Sequence, residues 1–183
     1  QRLVFDERAE NEGWLPPPWT ALAGSAVFGY LEVDLKPEGS KTFRFRSHMG
    51  NVPDYYYRLR LPIDMASHFC LPGVTLGQLR RFLRRQGLVI PDGLLQGDDV
   101  WFVAVVALVM GFSWSVALAQ MTLEDMVGDG IPGLGADRTL IHGRPVPILD
   151  PQQPLCKFLY IDDFGVHGID QVCGEKQEFI TTN

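Results

Sequence analysis

The stretch Phe158-Leu159-Tyr160-Ile161-Asp162-Asp163-Phe164-Gly165-Val166 constrains this chain more than any other. Leu155 to Tyr160 is an apolar run of strand length, and Phe164 to Val166 is a returning one. The Asp pair between them reads as a tight turn. Two adjacent carboxylates are thereby brought to the tip of an apolar hairpin. Like charges side by side against buried strands are costly. A divalent cation removes that cost. Hard carboxylate oxygens suit Mg²⁺, which takes one or two carboxylates and completes its shell with substrate phosphates. The plainer reading is that Asp163 forms the turn of an ordinary hairpin. These residues alone leave both readings open.

The remaining sequence supports a globular core. Of 183 residues 46% are hydrophobic and 21% charged, which excludes a disordered or low-complexity chain. The net charge of −6 argues against a bulk nucleic-acid coat but leaves room for a local basic groove. Cys70, Cys156 and Cys173 are odd in number and widely spaced, so a disulfide framework is excluded and a reducing compartment expected. No basic segment leads into an apolar one after Gln1, so the chain is expected to be intracellular rather than secreted. Both ends read as cuts within a longer protein.

Val100 to Gln120 carries no charge over 21 residues, long enough to span a bilayer. Acidic residues flank it (Asp98, Asp99, Glu124, Asp125) and Gly111 divides it. No membrane role is expected. Val and aromatic residues from Trp101 to Val106 predict a buried strand, and Ser113 to Val127 predicts a helix. Elsewhere, residues 2–5 and Thr42 to Arg46 read as strands. Leu15 to Trp19, with three prolines, is an extended loop. Thr75 to Gln86 is a helix capped by Thr75 and stopped by Gly87, and residues 128–135 form a Gly-rich loop. Strands and helices without strict alternation predict an α+β chain.

The hairpin resembles the Tyr-x-Asp-Asp motif of reverse transcriptases, and three further stretches resemble that family's motifs in the family's order. Arg2, Val4, Asp6, Arg8 and Asn11 resemble the fingers motif. Asn51 to Tyr57 resembles the first catalytic motif, an acidic residue followed five positions later by an aromatic. Met110-Gly111-Phe112-Ser113-Trp114-Ser115, running on to Gln120, resembles the motif that supports template and nucleotide. The resemblance spans nearly the whole chain.

It implies the fingers and palm of a right-hand polymerase with the Asp pair on a β-hairpin and no thumb. Residues 1–47 would begin the fingers, and 48–183 would be mostly palm, with a fingers-like insertion around 72–98. It also implies a retrotransposon-type RNA-directed DNA polymerase, a nucleotidyltransferase that binds an RNA or DNA template with its primer and takes deoxynucleoside triphosphates. Two Mg²⁺ or Mn²⁺ ions would activate the primer hydroxyl and clamp the triphosphate. Asp162 would be the main ligand of the pair, Asp163 its assistant, and Tyr160 and Met110 supporting motif residues. Arg2 would contact the triphosphate, its fork suited to phosphate. Tyr56 would gate against the 2′-hydroxyl, Gly111 would let backbone approach nucleotide or template, and Gln120 would lie behind that loop.

Two departures from the family pattern stand out. Met110 replaces the usual Gln. Asn51 replaces the first Asp, and an amide is neutral and a poorer Mg²⁺ ligand. Either a polymerase impaired at this position or a degenerate copy that folds and binds nucleic acid without polymerising is implied.

Competing motifs have plain explanations. Gly97-Asp98-Asp99 matches the Gly-Asp-Asp of RNA-dependent RNA polymerases but reads as a polar turn. Gly128 to Gly133 matches a dinucleotide fingerprint in letters only, since it follows a helix and contains Pro132. Arg80, Arg81, Arg84 and Arg85 form a basic stripe opposite Leu79, Phe82 and Leu83, fit for template phosphates or simply a solvated face. Arg44, Arg46, Arg58 and Arg60 are weaker candidates. His48, His68, His142 and His167 show no metal spacing, and Cys156, His167 and Cys173 lack the close ligand pair of a zinc site.

Overall fold

The computed structural model describes residues 5–35, 41–89, 100–128, 131 and 133–172. Its elements are α1 (Arg8–Glu12), α2 (Ser25–Phe28), β1 (Thr42–Asn51), α3 (Tyr55–Arg58), β2 (Val74–Thr75), α4 (Leu76–Arg85), β3 (Val100–Trp101), α5 (Ser115–Gly128), β4 (Thr139–Leu140), β5 (Leu155–Tyr160) and β6 (Asp163–Val172). Single 3₁₀ turns lie at Met65–His68 and Ala136–Arg138. This is a mixed set of helices and strands. The chain divides into two units. Gln1–Leu15 with Tyr56–Ser115 is one, and Pro16–Tyr55 with Val116–Asn183 is the other.

The second unit is built on a four-stranded sheet in the order β1-β6-β5-β4, antiparallel except for the β4–β5 pair. Alternation of Phe43, Phe45 and the intervening Arg side chains drives β1, which runs five residues past the expected Arg46 to Asn51. One face of β5 and β6 supplies Cys156, Phe158 and Ile169 to a core completed by Ala23, Val27, Leu140 and Leu149. Burial pushes the Cys156 thiol up to about 11, against smaller opposing effects of Arg138 and the His167 backbone. Arg138 is itself buried. Its guanidinium donates to the carbonyls of Ile148, Gln153 and Leu155 and to Gln153 Oε1, tying the loop before β5 to the sheet end.

Gly165 sits where a Cβ would collide with the Phe158 ring and the His48 carbonyl. Only a residue without a side chain lets β6 lie flat between its neighbours there.

The first unit packs Leu61, Ala66, Phe69, Leu108, Val109 and Phe112 as its buried residues. Phe69 and Phe112 meet at 5.0 Å, and Trp14 sits edge-on to Phe112 at 5.3 Å. The helix α4 begins as expected at Thr75, whose hydroxyl accepts from the Gln78 amide while Gln78 Oε1 accepts from the Thr75 N–H at 2.8 Å, a full capping box. Gly87 then takes a left-handed φ of 72° past the helix end.

The expected buried strand from Trp101 to Val106 is corrected. Only Val100–Trp101 is a strand, and Val100, Phe102, Val103 and Val106 are exposed. This segment is extended because its backbone bonds alternately to two short stretches. Val103 and Val106 carbonyls accept from Leu71 and Leu61, and Val105 donates to Phe69. Composition therefore reported extended backbone correctly and burial wrongly. The helix expected from Ser113 starts at Ser115, where its hydroxyl donates to the Val109 carbonyl at 2.5 Å. Among the described residues no helix is long and apolar enough to cross a membrane.

Candidate functional site

Tyr160 and Asp163 are register partners, so β5 and β6 join through a two-residue turn of Ile161 and Asp162. This shifts the turn expected at Asp162–Asp163 by one position. Asp163 is the first residue of β6, and Asp162 alone of the pair lies in the turn. Ile161 carries a left-handed φ of 57°. That is a genuine outlier for a β-branched side chain, and such backbone costs about 1–3 kcal/mol.

Two contacts hold this tip. Gln120 Oε1, from α5, accepts the Ile161 N–H at 2.7 Å, and the Asp162 carbonyl accepts the Val52 N–H at 2.8 Å. Gln120 is 2% exposed, and its Nε2 donates to Glu124 Oε1 at 2.9 Å and to the Leu159 carbonyl at 3.3 Å. Its amide is committed to the hairpin.

Asn51 ends β1 directly opposite Asp163, 112 residues away in sequence. Its Nδ2 donates to Asp163 Oδ1 at 2.8 Å. Asn51, Asp162, Asp163 and Tyr160 therefore gather at one end of the sheet. Asp162 and Asp163 are half-buried and Tyr160 is 38% exposed. Among the described residues no three His, Cys, Asp or Glu side chains cluster as metal ligands. The third corner of this group is an amide.

The other motif residues assemble within the first unit. Asn11 Nδ2 donates to the Gly111 carbonyl at 2.9 Å and Asn11 Oδ1 accepts the Ser113 N–H at 2.8 Å. The stretches around Asn11 and Gly111 are thus joined by one side chain. Phe5 N–H donates to the Met110 carbonyl at 3.1 Å. Gly111 has φ 114°, and a Cβ there would collide with the Phe5 carbonyl. The close backbone approach at Gly111 is made by the chain's own Phe5. Arg8 pairs with Asp6 at 2.7 Å, and these hydrogen bonds hold the Asp6 carboxyl below its ordinary range. Burial is the main cause that raises Glu7, with Glu10 and Asp6 adding to it.

Tyr56 is half-buried in α3, beside Tyr55, which packs at 3% exposure and donates its hydroxyl to the Ala119 carbonyl. Of the basic stripe, Arg81, Arg84 and Arg85 are exposed and Arg80 is half-buried. His68 Nδ1 lies 2.8 Å from Glu10 Oε1. Arg2, Asp98, Asp99 and Cys173 lie outside the described residues, as does part of the 128–135 loop.

Sequence reasoning missed the Gln120 clamp on Ile161; a polar side chain between Ala119 and Met121 is its local signal. Compared with protein-family models, with curated proteins and with solved structures, the chain finds no match.

Proposed function

We propose that this chain is a reverse-transcriptase-like fingers–palm segment whose nucleotidyl transfer is disabled at Asn51. The observation that carries the reading is the register of Asn51 against Asp163 beside the Ile161–Asp162 turn. A strand ending in the first motif and a hairpin bearing the Asp pair meet at the position where a shared metal would need a carboxylate from each.

The donor set does not fit the two-ion arrangement that the resemblance implies. Asp162 and Asp163 are fit to hold one hard cation, which needs one or two carboxylates. Asn51 adds no charge, and its N–H faces the very carboxylate a second ion would share. No transfer step is therefore derived. The retained parts are a hairpin held in a strained shape by Gln120 and a basic face on α4. Phosphate contact there would be local and would weaken steeply with salt, given the overall charge of −6.

Primer extension on a primed RNA template with Mg²⁺ or Mn²⁺ tests this, comparing the chain as it stands, Asn51→Asp, and Asn51→Asp with Asp162→Ala. Extension is expected from Asn51→Asp alone. Extension by the unaltered chain would overturn the impairment. Silence from a folded Asn51→Asp protein would overturn the polymerase-like reading itself.

A further inference from the structure

The helix α4 packs on its own unit through one side only. Leu76 is buried there, and Leu79 and Leu83 are half-buried. The other side carries Arg81, Arg84 and Arg85, all exposed, with Phe82 among them at 59% exposure. Arg81 stands three and four residues from Arg84 and Arg85, and Phe82 stands three from Arg85, so these side chains adjoin on the helix surface. Past the left-handed Gly87, the Leu88 N–H donates back to the Leu83 carbonyl at 2.9 Å and fixes the chain against the helix end. Leu88 is 58% exposed there and Val89 83%. No acidic residue occurs between Asp64 and Asp92, so a local excess of positive charge stands within a chain of net charge −6.

We propose that this surface docks on an anionic lipid bilayer. Charge complementarity calls for an anionic partner, and the guanidinium fork suits phosphate and carboxylate headgroups. The exposed apolar side chains then choose among anionic partners. A nucleic-acid backbone would satisfy the arginines and leave Phe82, Leu88 and Val89 in water. A protein groove reads a helix through apolar anchors spaced i, i+3, i+4 and i+7, and the outward side of α4 offers Phe82 alone, flanked by Arg81 and Arg85. A bilayer needs no such register. Its headgroups meet the arginines while apolar tips enter the boundary below them, with the arginine stems lying along it. This is attachment to a surface. Among the described residues no helix is long and apolar enough to span one.

Asn51 and the Asp pair take no part in this, so it stands or falls apart from the polymerase-like reading. The test is co-sedimentation of the chain with vesicles of phosphatidylcholine, alone or mixed with phosphatidylserine. Binding to the mixed vesicles only is expected, released as salt rises. Replacing Arg81, Arg84 and Arg85 together by Gln is expected to weaken it roughly a hundredfold, at about fivefold per arginine. Phe82→Gln with Leu88→Gln keeps every charge and is expected to weaken vesicle binding roughly tenfold or more, the scale of two apolar side chains withdrawn from water. The same double variant is expected to bind a short RNA duplex no differently from the parent. All five positions are exposed, so each variant is expected to melt as the parent does. No binding to mixed vesicles by the folded parent would overturn the proposal. So would equal binding to phosphatidylcholine alone, or vesicle binding unchanged in Phe82→Gln with Leu88→Gln. Binding to the RNA duplex but not to mixed vesicles, lost in the arginine variant, would assign the stripe to nucleic-acid phosphates instead.

Discussion

Asn51 and Asp163 face each other across the β1–β6 pair, joined by an Nδ2–Oδ1 hydrogen bond of 2.8 Å. The uncharged amide gives one Asp163 oxygen a donor, and an aspartate at this position would instead set a third carboxylate beside Asp162 and Asp163. Asn51→Asp is therefore expected to make stability depend on divalent ions. In EDTA the variant loses about 1 kcal/mol, the scale of one hydrogen bond at a partly exposed site, so Tm falls roughly 2–4 °C. Mn²⁺ restores it, whereas the parent Tm does not move. A variant that melts identically with and without Mn²⁺ counts against this account.

Gln120 makes its bonds from a nearly inaccessible position. Gln120→Leu keeps the volume and leaves the Ile161 N–H and Leu159 carbonyl without their side-chain partner. The cost is about 1–3 kcal/mol, the penalty for unsatisfied buried groups. Hydrogen exchange read by mass spectrometry is expected to accelerate in the peptide spanning Ile161 more than in β6. Uniform acceleration would mean that Gln120 supports the whole unit and not the tip.

Gly111 is fixed by geometry on two counts, its φ of 114° and the Phe5 carbonyl beside it. Gly111→Ala is expected to destabilise by more than about 1 kcal/mol, the minimum for a side chain forced into such backbone. Urea denaturation gives the number. A neutral result would return Gly111 to the ligand-approach role that its motif suggested.

His167 gives a pH signature. Its folded pKa lies below the unfolded value of about 6.5 because burial disfavours the charged ring. The unfolded chain thus binds a proton that the folded chain refuses. Stability is full above the unfolded pKa and falls as pH drops from there through the folded pKa. Urea midpoints taken from neutral pH down into the acid range are expected to fall in the parent protein. They should fall less in His167→Phe, which cannot titrate. Parallel curves would locate the acid sensitivity elsewhere.

Local chemistry made part of this fold legible. Thr75 and Gly87 bracket α4 by capping rules that act within four residues, and the apolar run at Leu155 meets its partner through a two-residue turn. The residues that sequence reading misjudged depend on distant partners. Gln120 is 41 residues from Ile161, and no pattern on α5 says which backbone its amide will reach. Trp101 to Val106 has the composition of a core strand, but exposure is decided by what packs against it. At Gly111 the need for a missing Cβ was readable, while the neighbour that imposes it was not.

The pairing of β1 with β6 has a consequence for synthesis. Asn51 leaves the ribosome long before Val172, and at 5–20 residues per second that gap is roughly 6–24 s. Throughout it, a ten-residue strand carrying Phe45 and Met49 has no sheet to join. Local hairpin closure between β5 and β6 takes only microseconds once both strands exist. The nascent chain therefore waits on its longest-range contact, and a slowed ribosome or a depleted holdase is expected to send it into aggregates through β1.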